Sequence, residues 1–122
     1  MLRTVQDNIF SKIVRTRDKF TCQRCGTSHQ PTNAALHCSH FFSRGKWSTR
    51  FDLDNCISLC YGCHRYYDAH KEEYREWKIE LLGEKGFEAL ELRSNKTGNK
   101  RYLRSKEHTK ELREKLRLMQ NG

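Results

Sequence analysis

The spacing of apolar positions divides the chain into helical and extended stretches. Between Thr4 and Asp18, Val5, Ile9, Ile13 and Val14 recur at helical intervals with Phe10 on the flank, which predicts an N-terminal helix. Residues 27–33 are turn formers that include the single proline, so a loop is expected there. Residues 34–42 and Cys56–Leu59 read as two short strands, separated by the loop 43–50 and the polar run Asp52–Asn55. From His64 the pattern becomes helical: Tyr67, Tyr74, Trp77, Leu81 and Leu82 supply an apolar face and Gly83 a stop. Phe87, Leu90 and Leu92 suggest a further short helix, and residues 94–101 a polar linker. A last helix, Ser105 to Met119, places Leu112, Leu116 and Met119 at i, i+4 and i+7. That stripe suits docking on the rest of the domain, or else the seam of a homodimer.

Composition narrows what these elements can build. The 122 residues are 35% hydrophobic and 32% charged, lean for a packed core, so a structural metal is the expected staple. The expected division is one domain over residues 1–93 with a basic linker and helical tail over 94–122. No apolar run has the length of a signal peptide or approaches the roughly 18 residues of a membrane span, and mean hydropathy is −0.97. A soluble, cytoplasmic protein without a membrane partner is expected. The net charge of +9 is segregated: +7 over residues 1–50, −4 over 51–93 and +6 over 94–122. Two basic ends flanking an acidic middle predict a polyanionic partner, DNA above all.

Four of the six cysteines fall into two Cys-x-x-Cys pairs, Cys22/Cys25 and Cys60/Cys63. Without an export signal, that spacing fits tetrahedral Zn²⁺ better than disulfides. Four thiolates fill the zinc shell and leave no position for substrate, so this metal is expected to be structural. It would tie the region before the first strand to the start of the central helix. Cys38 and Cys56 are left over and read as small buried side chains.

His40, Asn55 and His64 carry the candidate chemistry. Hydrolysis of a phosphodiester needs a base to activate water and a cation to neutralise developing charge. A neutral imidazole suits the first task near pH 7. His64, fixed next to the second cysteine pair, suits a cation ligand, and the Asn55 amide can hold loop backbone in place.

In this order, Ser39-His40, then Asn55-Cys56-Ile57-Ser58-Leu59-Cys60, then Cys63-His64 resembles the HNH (ββα-metal) endonuclease superfamily, with the added cysteine pair of its zinc-bearing members. More narrowly, Cys38-Ser39-His40-Phe41, the run Thr49–Asn55 and Tyr74-Arg75-Glu76-Trp77 resemble the phage NinG/Rap recombination nucleases. The resemblance implies an α+β fold: a small zinc-stabilised ββα-metal core with an N-terminal helix and C-terminal helices. It implies cleavage of DNA, branched or double-stranded, with His40 as general base, Asn55 stabilising the loop and His64 binding a catalytic Mg²⁺ or Mn²⁺; the alternatives are a non-catalytic zinc module that binds nucleic acid, and an HNH nicking, restriction or packaging nuclease acting on linear duplex DNA. Ser39 departs from the pattern, because a metal-ligating Asp or His commonly precedes the base. Asp68, four residues after His64, is the first candidate to compensate, ahead of His70 and His37. Arg44, Lys46 and Arg50 surround Trp47 in the inter-strand loop. Together with Lys96, Lys100, Arg101 and Arg104 of the tail they are the expected phosphate contacts, and Trp47 the loop's packing anchor.

Overall fold

A computed structural model of the chain describes residues 3–31, 34–97 and 99–121. Thr32 and Asn33 of the expected loop and Gly98 of the expected linker lie outside the described residues. Helix α1 (Val5–Arg17) starts at a capping box, in which the Thr4 hydroxyl accepts from the Asp7 amide while the Asp7 carboxylate accepts from the Thr4 amide. Its chain then passes through two residues of left-handed backbone, Lys19 and Phe20, into the first cysteine pair. Gly26 (φ +78°) closes that turn, a conformation in which a side chain would be strained. Strands β1 (Leu36–His40) and β2 (Cys56–Cys60) form an antiparallel hairpin with His40 opposite Cys56 and Leu36 opposite Cys60. Between them lie a short helix α2 (Trp47–Arg50) and one 3₁₀ turn (Leu53–Asn55).

The central helix begins earlier than its apolar pattern, because the second cysteine pair is itself its first turn. Helix α3 (Tyr61–Ala69) is capped by the Cys60 sulfur, which accepts from the Cys63 amide. A break at His70 leads to α4 (Lys71–Ser94), which bends at Gly83 (φ +77°), the expected stop. The expected linker is short: α4 runs to Ser94, and Lys100–Leu103 already form the turn α5 before α6 (Lys106–Asn121). Among the described residues no helix is long and apolar enough to cross a membrane.

The molecule is thus a mixed α+β fold in which the hairpin is sandwiched. Strand alternation sends Ile57 and Leu59 to one face, where they pack with Cys22, Leu36, Cys63, Tyr67 and Tyr74. Cys56 packs on the other, with Ile9, Phe10, Ile13 and Val14 of α1 and Leu112 of α6. Leu112, Leu116 and Met119 therefore dock on the domain, and the tail shares a core with the N-terminal helix. Val5, Leu81 and Leu92, read as positions on apolar faces, are exposed.

One buried ion pair crosses this assembly. Arg50, expected at a phosphate, is only 1% exposed and points inward, so that assignment is corrected. Its Nε and Nη2 donate to the two Asp7 carboxylate oxygens at 2.9 and 2.5 Å, and its guanidinium lies 4.2 Å from the Trp47 ring centroid. Burial alone would raise the Asp7 carboxyl, yet the hydrogen bonds from Arg50 and Thr4 hold it at about 2 against an ordinary 3.8. Arg50→Ala strands Asp7 without its partner and is expected to cost roughly 3–5 kcal/mol in denaturant unfolding. Because the native carboxyl is depressed, the wild-type contribution is present above pH 3.8 and is lost as pH falls through about 2. In Arg50→Ala that acid-limb loss should shrink, and an unchanged limb would remove the pair from the account.

Candidate active site and metal centre

The four paired cysteines come together as their spacing predicted. Their sulfurs all lie within 4.8 Å of one another, forming a four-cysteine cluster that can hold a structural metal such as zinc. Cys25 Sγ and Cys60 Sγ are 3.8 Å apart, the edge that Zn–S bonds of about 2.3 Å give a tetrahedron. The donor set and spacing fit Zn²⁺. Backbone amides of Cys25 and Cys63 donate to the sulfurs of Cys22 and Cys60, as the knuckle turns require. Arg24 reaches Cys63 Sγ at 3.5 Å and lies 4.1 Å from the Tyr66 ring centroid, shielding one side of the cluster.

Asn55 is fully buried and spends its whole amide on the inter-strand loop. Nδ2 donates to the Phe42 and Thr49 carbonyls, each at 3.0 Å, and Oδ1 accepts from the Phe42 amide at 2.8 Å. With Arg50 Nη1 donating to the Arg44 carbonyl, these bonds fix the segment that follows His40.

His40 Nε2 lies 2.9 Å from the Arg50 carbonyl oxygen. A carbonyl can only accept, so Nε2 carries the proton and the neutral ring keeps its lone pair on Nδ1. Burial lowers the His40 pKa, the Arg50 carbonyl opposes that, and the positive charge of Arg44 adds to the lowering. The ring is thus held neutral and in one tautomer.

His64 lies on α3 with Nδ1 at 2.9 Å from His37 Nδ1 and Nε2 at 3.8 Å from Asp68 Oδ1. Asp68 is on the same helical face, where i, i+4 spacing puts it. His70 does not join them: its ring stacks on Tyr66 at 4.0 Å and its Nδ1 contacts the Tyr66 carbonyl, so it is corrected as a cation ligand. Ser39 is buried and hydrogen-bonds the Tyr74 hydroxyl at 2.9 Å, which makes it part of the packing between strand and helix. His37, ranked low on sequence, is the histidine that the fold brings to His64.

An open cleft of about 610 Å³ runs along β1 and is lined by His37, His40 and His64 together with Arg3, Arg15 and Arg44. Among the described residues no strand pairs with the outer edge of β1, and side chains from both faces of the strand line the cleft. Arg3 and Arg15 were not singled out on sequence. Arg15 is held along α1 by donation from its Nε to the Ser11 carbonyl. Of the other expected phosphate contacts, Lys46, Lys96 and Lys100 line a second groove of about 400 Å³ beside Trp47. There Lys100 Nζ lies 5.5 Å from the Trp47 ring centroid, and Trp47 packs edge-on to Phe51, as an anchor would. Arg101 is exposed on α5, and Arg104 lines a groove between α1 and α6.

The family model described as bacteriophage lambda NinG protein matches residues 3–121. The chain belongs to that family. No curated protein and no solved structure matches it.

Because the cysteine cluster ties the first knuckle to the cap of α3, metal removal is expected to loosen hairpin and helix together. A strong chelator should lower the melting temperature by at least about 10 °C, with recovery on adding Zn²⁺. Cys60→Ser, which also weakens the α3 cap, should behave like the stripped protein. An identical melting curve after verified metal loss would show that the fold does not need it.

Proposed function

We propose that this NinG-family chain is a metal-dependent DNA endonuclease of the HNH (ββα-metal) kind, acting on branched DNA during phage recombination. The observation that carries the reading is the cleft along β1. It combines a histidine locked as a neutral base, two further histidines in contact with each other and three arginines, and Asp68 stands beside one of those histidines on α3. The order strand–strand–helix, with the base on the first strand and His64 on the helix, supports the same reading.

In this proposal His40 takes a proton from water at Nδ1, while Nε2 stays bound to the Arg50 carbonyl and so holds the ring in place. Close contact between the His37 and His64 Nδ1 atoms requires that one of them carry the proton. When His64 donates, its Nε2 presents a lone pair beside Asp68 Oδ1, and two acceptors 3.8 Å apart suit a shared cation. A Mg²⁺ or Mn²⁺ bound there supplies charge neutralisation for the phosphate. Arg44, Arg15 and Arg3 face phosphate oxygens along the cleft, and Lys46, Lys96 and Lys100 hold backbone beyond it without reading sequence.

His40→Ala is expected to abolish nicking of supercoiled plasmid in Mg²⁺ while the first equivalent of zinc, held by the four paired cysteines, and DNA affinity stay near wild type. Retained cleavage in that variant would remove His40 as base. An EDTA control separates catalysis from mere binding, and a labelled four-way junction beside its linear arms tests for branched substrate. Since burial depresses the His40 pKa, the base is already neutral above the ordinary value of 6.5. The cleavage rate should be flat through neutral pH, with its acid limb below that value. An acid limb well above pH 6.5 would point to a different base.

A further inference from the structure

His40 has a second set of neighbours on the side of the hairpin that faces α1. Register places His40 opposite Cys56, and Cys38 shares its face two residues earlier on the same strand. One ligand atom each from Cys38, His40 and Cys56 lies within 4.8 Å of the other two. Neither cysteine belongs to the cluster formed by the two Cys-x-x-Cys pairs. Cys56 is buried, whereas Cys38 and His40 both line the cleft, so an ion entering from solvent reaches the group through the same opening as a substrate. Phe10 of α1 forms a wall, its ring centroid 6.3 Å from that of His40.

Two thiols and an imidazole are a soft donor set that favours Zn²⁺ over Mg²⁺. A tetrahedral zinc spaces its sulfur and nitrogen ligands roughly 3.5–3.8 Å apart, so the group has to close up by side-chain rotation to hold one. With Nε2 committed to the Arg50 carbonyl, the nitrogen able to bind metal is Nδ1. We propose that Cys38, His40 and Cys56 form a second site for a thiophilic divalent cation, whose binding takes the Nδ1 lone pair out of use. On Zn²⁺ binding the two thiols release two protons to solvent, the imidazole gives its lone pair, and water completes the fourth position. With three protein donors instead of four, the site fills after the structural cysteine cluster. Resting on the reading of His40 as base, it makes excess zinc an inhibitor: the ion that builds the scaffold also arrests cleavage once the scaffold is loaded.

The test uses the full chain carrying its first equivalent of Zn²⁺, titrated with Co²⁺ and, separately, with Zn²⁺ against a chromophoric chelator. Wild type is expected to bind a second equivalent, with a sulfur-to-cobalt charge-transfer band. Cys38→Ser and His40→Ala should each keep the first equivalent and lose the second. In parallel, plasmid nicking in Mg²⁺ should fall by at least about tenfold as the second equivalent binds wild type, and stay constant in Cys38→Ser. Cys56→Ser gives a second thiol deletion should Cys38→Ser fold poorly. Binding of only one metal by wild type, or a second equivalent that survives in Cys38→Ser and His40→Ala, overturns the site. A second equivalent that binds through these residues without slowing cleavage overturns the inhibition. Absence of cleavage at every zinc level, with the second equivalent bound as described, instead removes the nuclease reading and leaves the metal site standing.

Discussion

The ion pair between Asp7 and Arg50 is the constraint on which the candidate site depends. An arginine that is 1% exposed needs a partner with matched geometry, and Asp7 supplies one through two hydrogen bonds. The pair fixes α2 against α1 across the inter-strand loop. Both residues also act locally: the Asp7 carboxylate closes the capping box that starts α1, and the Arg50 carbonyl receives the His40 ring. The orientation of His40 is therefore linked by hydrogen bonds to the first turn of the first helix. Arg50 Nη1 and Asn55 hold the loop from above and below, so the segment after His40 has few ways to move.

The cysteine cluster does for the other side of the hairpin what the ion pair does for this one. It joins the first knuckle to the cap of α3, and α3 carries His64. Arg17 and Asp18 at the end of α1 add direct clamps on β2, through the Cys56 carbonyl and the Ser58 amide, and on the turn before it, through the Leu53 carbonyl. A chain with so little apolar sequence thus places His40 and His64 through polar and metal-type contacts more than through hydrophobic volume.

How much of this was legible depends on the range of the interaction. The first helix, the two strands and the cysteine cluster were readable because each rests on local periodicity or spacing. Arg50 was not. A loop arginine that pairs inward looks the same on paper as one facing DNA, and its partner lies 43 positions away. His70 could have been read better: at 100° per residue it falls about 240° around the helix from His64, while Asp68 falls about 40° from it. The missed cleft arginines, Arg3 and Arg15, lie at α1, whose packing against the hairpin no local pattern announces.

Ser39 illustrates how the topology resolves what the motif left open. The expected carboxylate would sit next to the base in sequence, yet adjacent strand residues point to opposite faces. Position 39 is directed into the packing with Tyr74, where a buried charge would face a tyrosine hydroxyl and no cation among the described contacts. Serine is the residue type that fits there, because its hydroxyl satisfies the tyrosine and carries no charge into the core. The donors near His64 then come from His37, towards the open end of β1, and from Asp68, one turn along α3. His37 lines the cleft at the free strand edge and Asp68 stands outside it on the exposed face of α3, so the polar neighbours of His64 come from its own helix and from β1 two positions before Ser39.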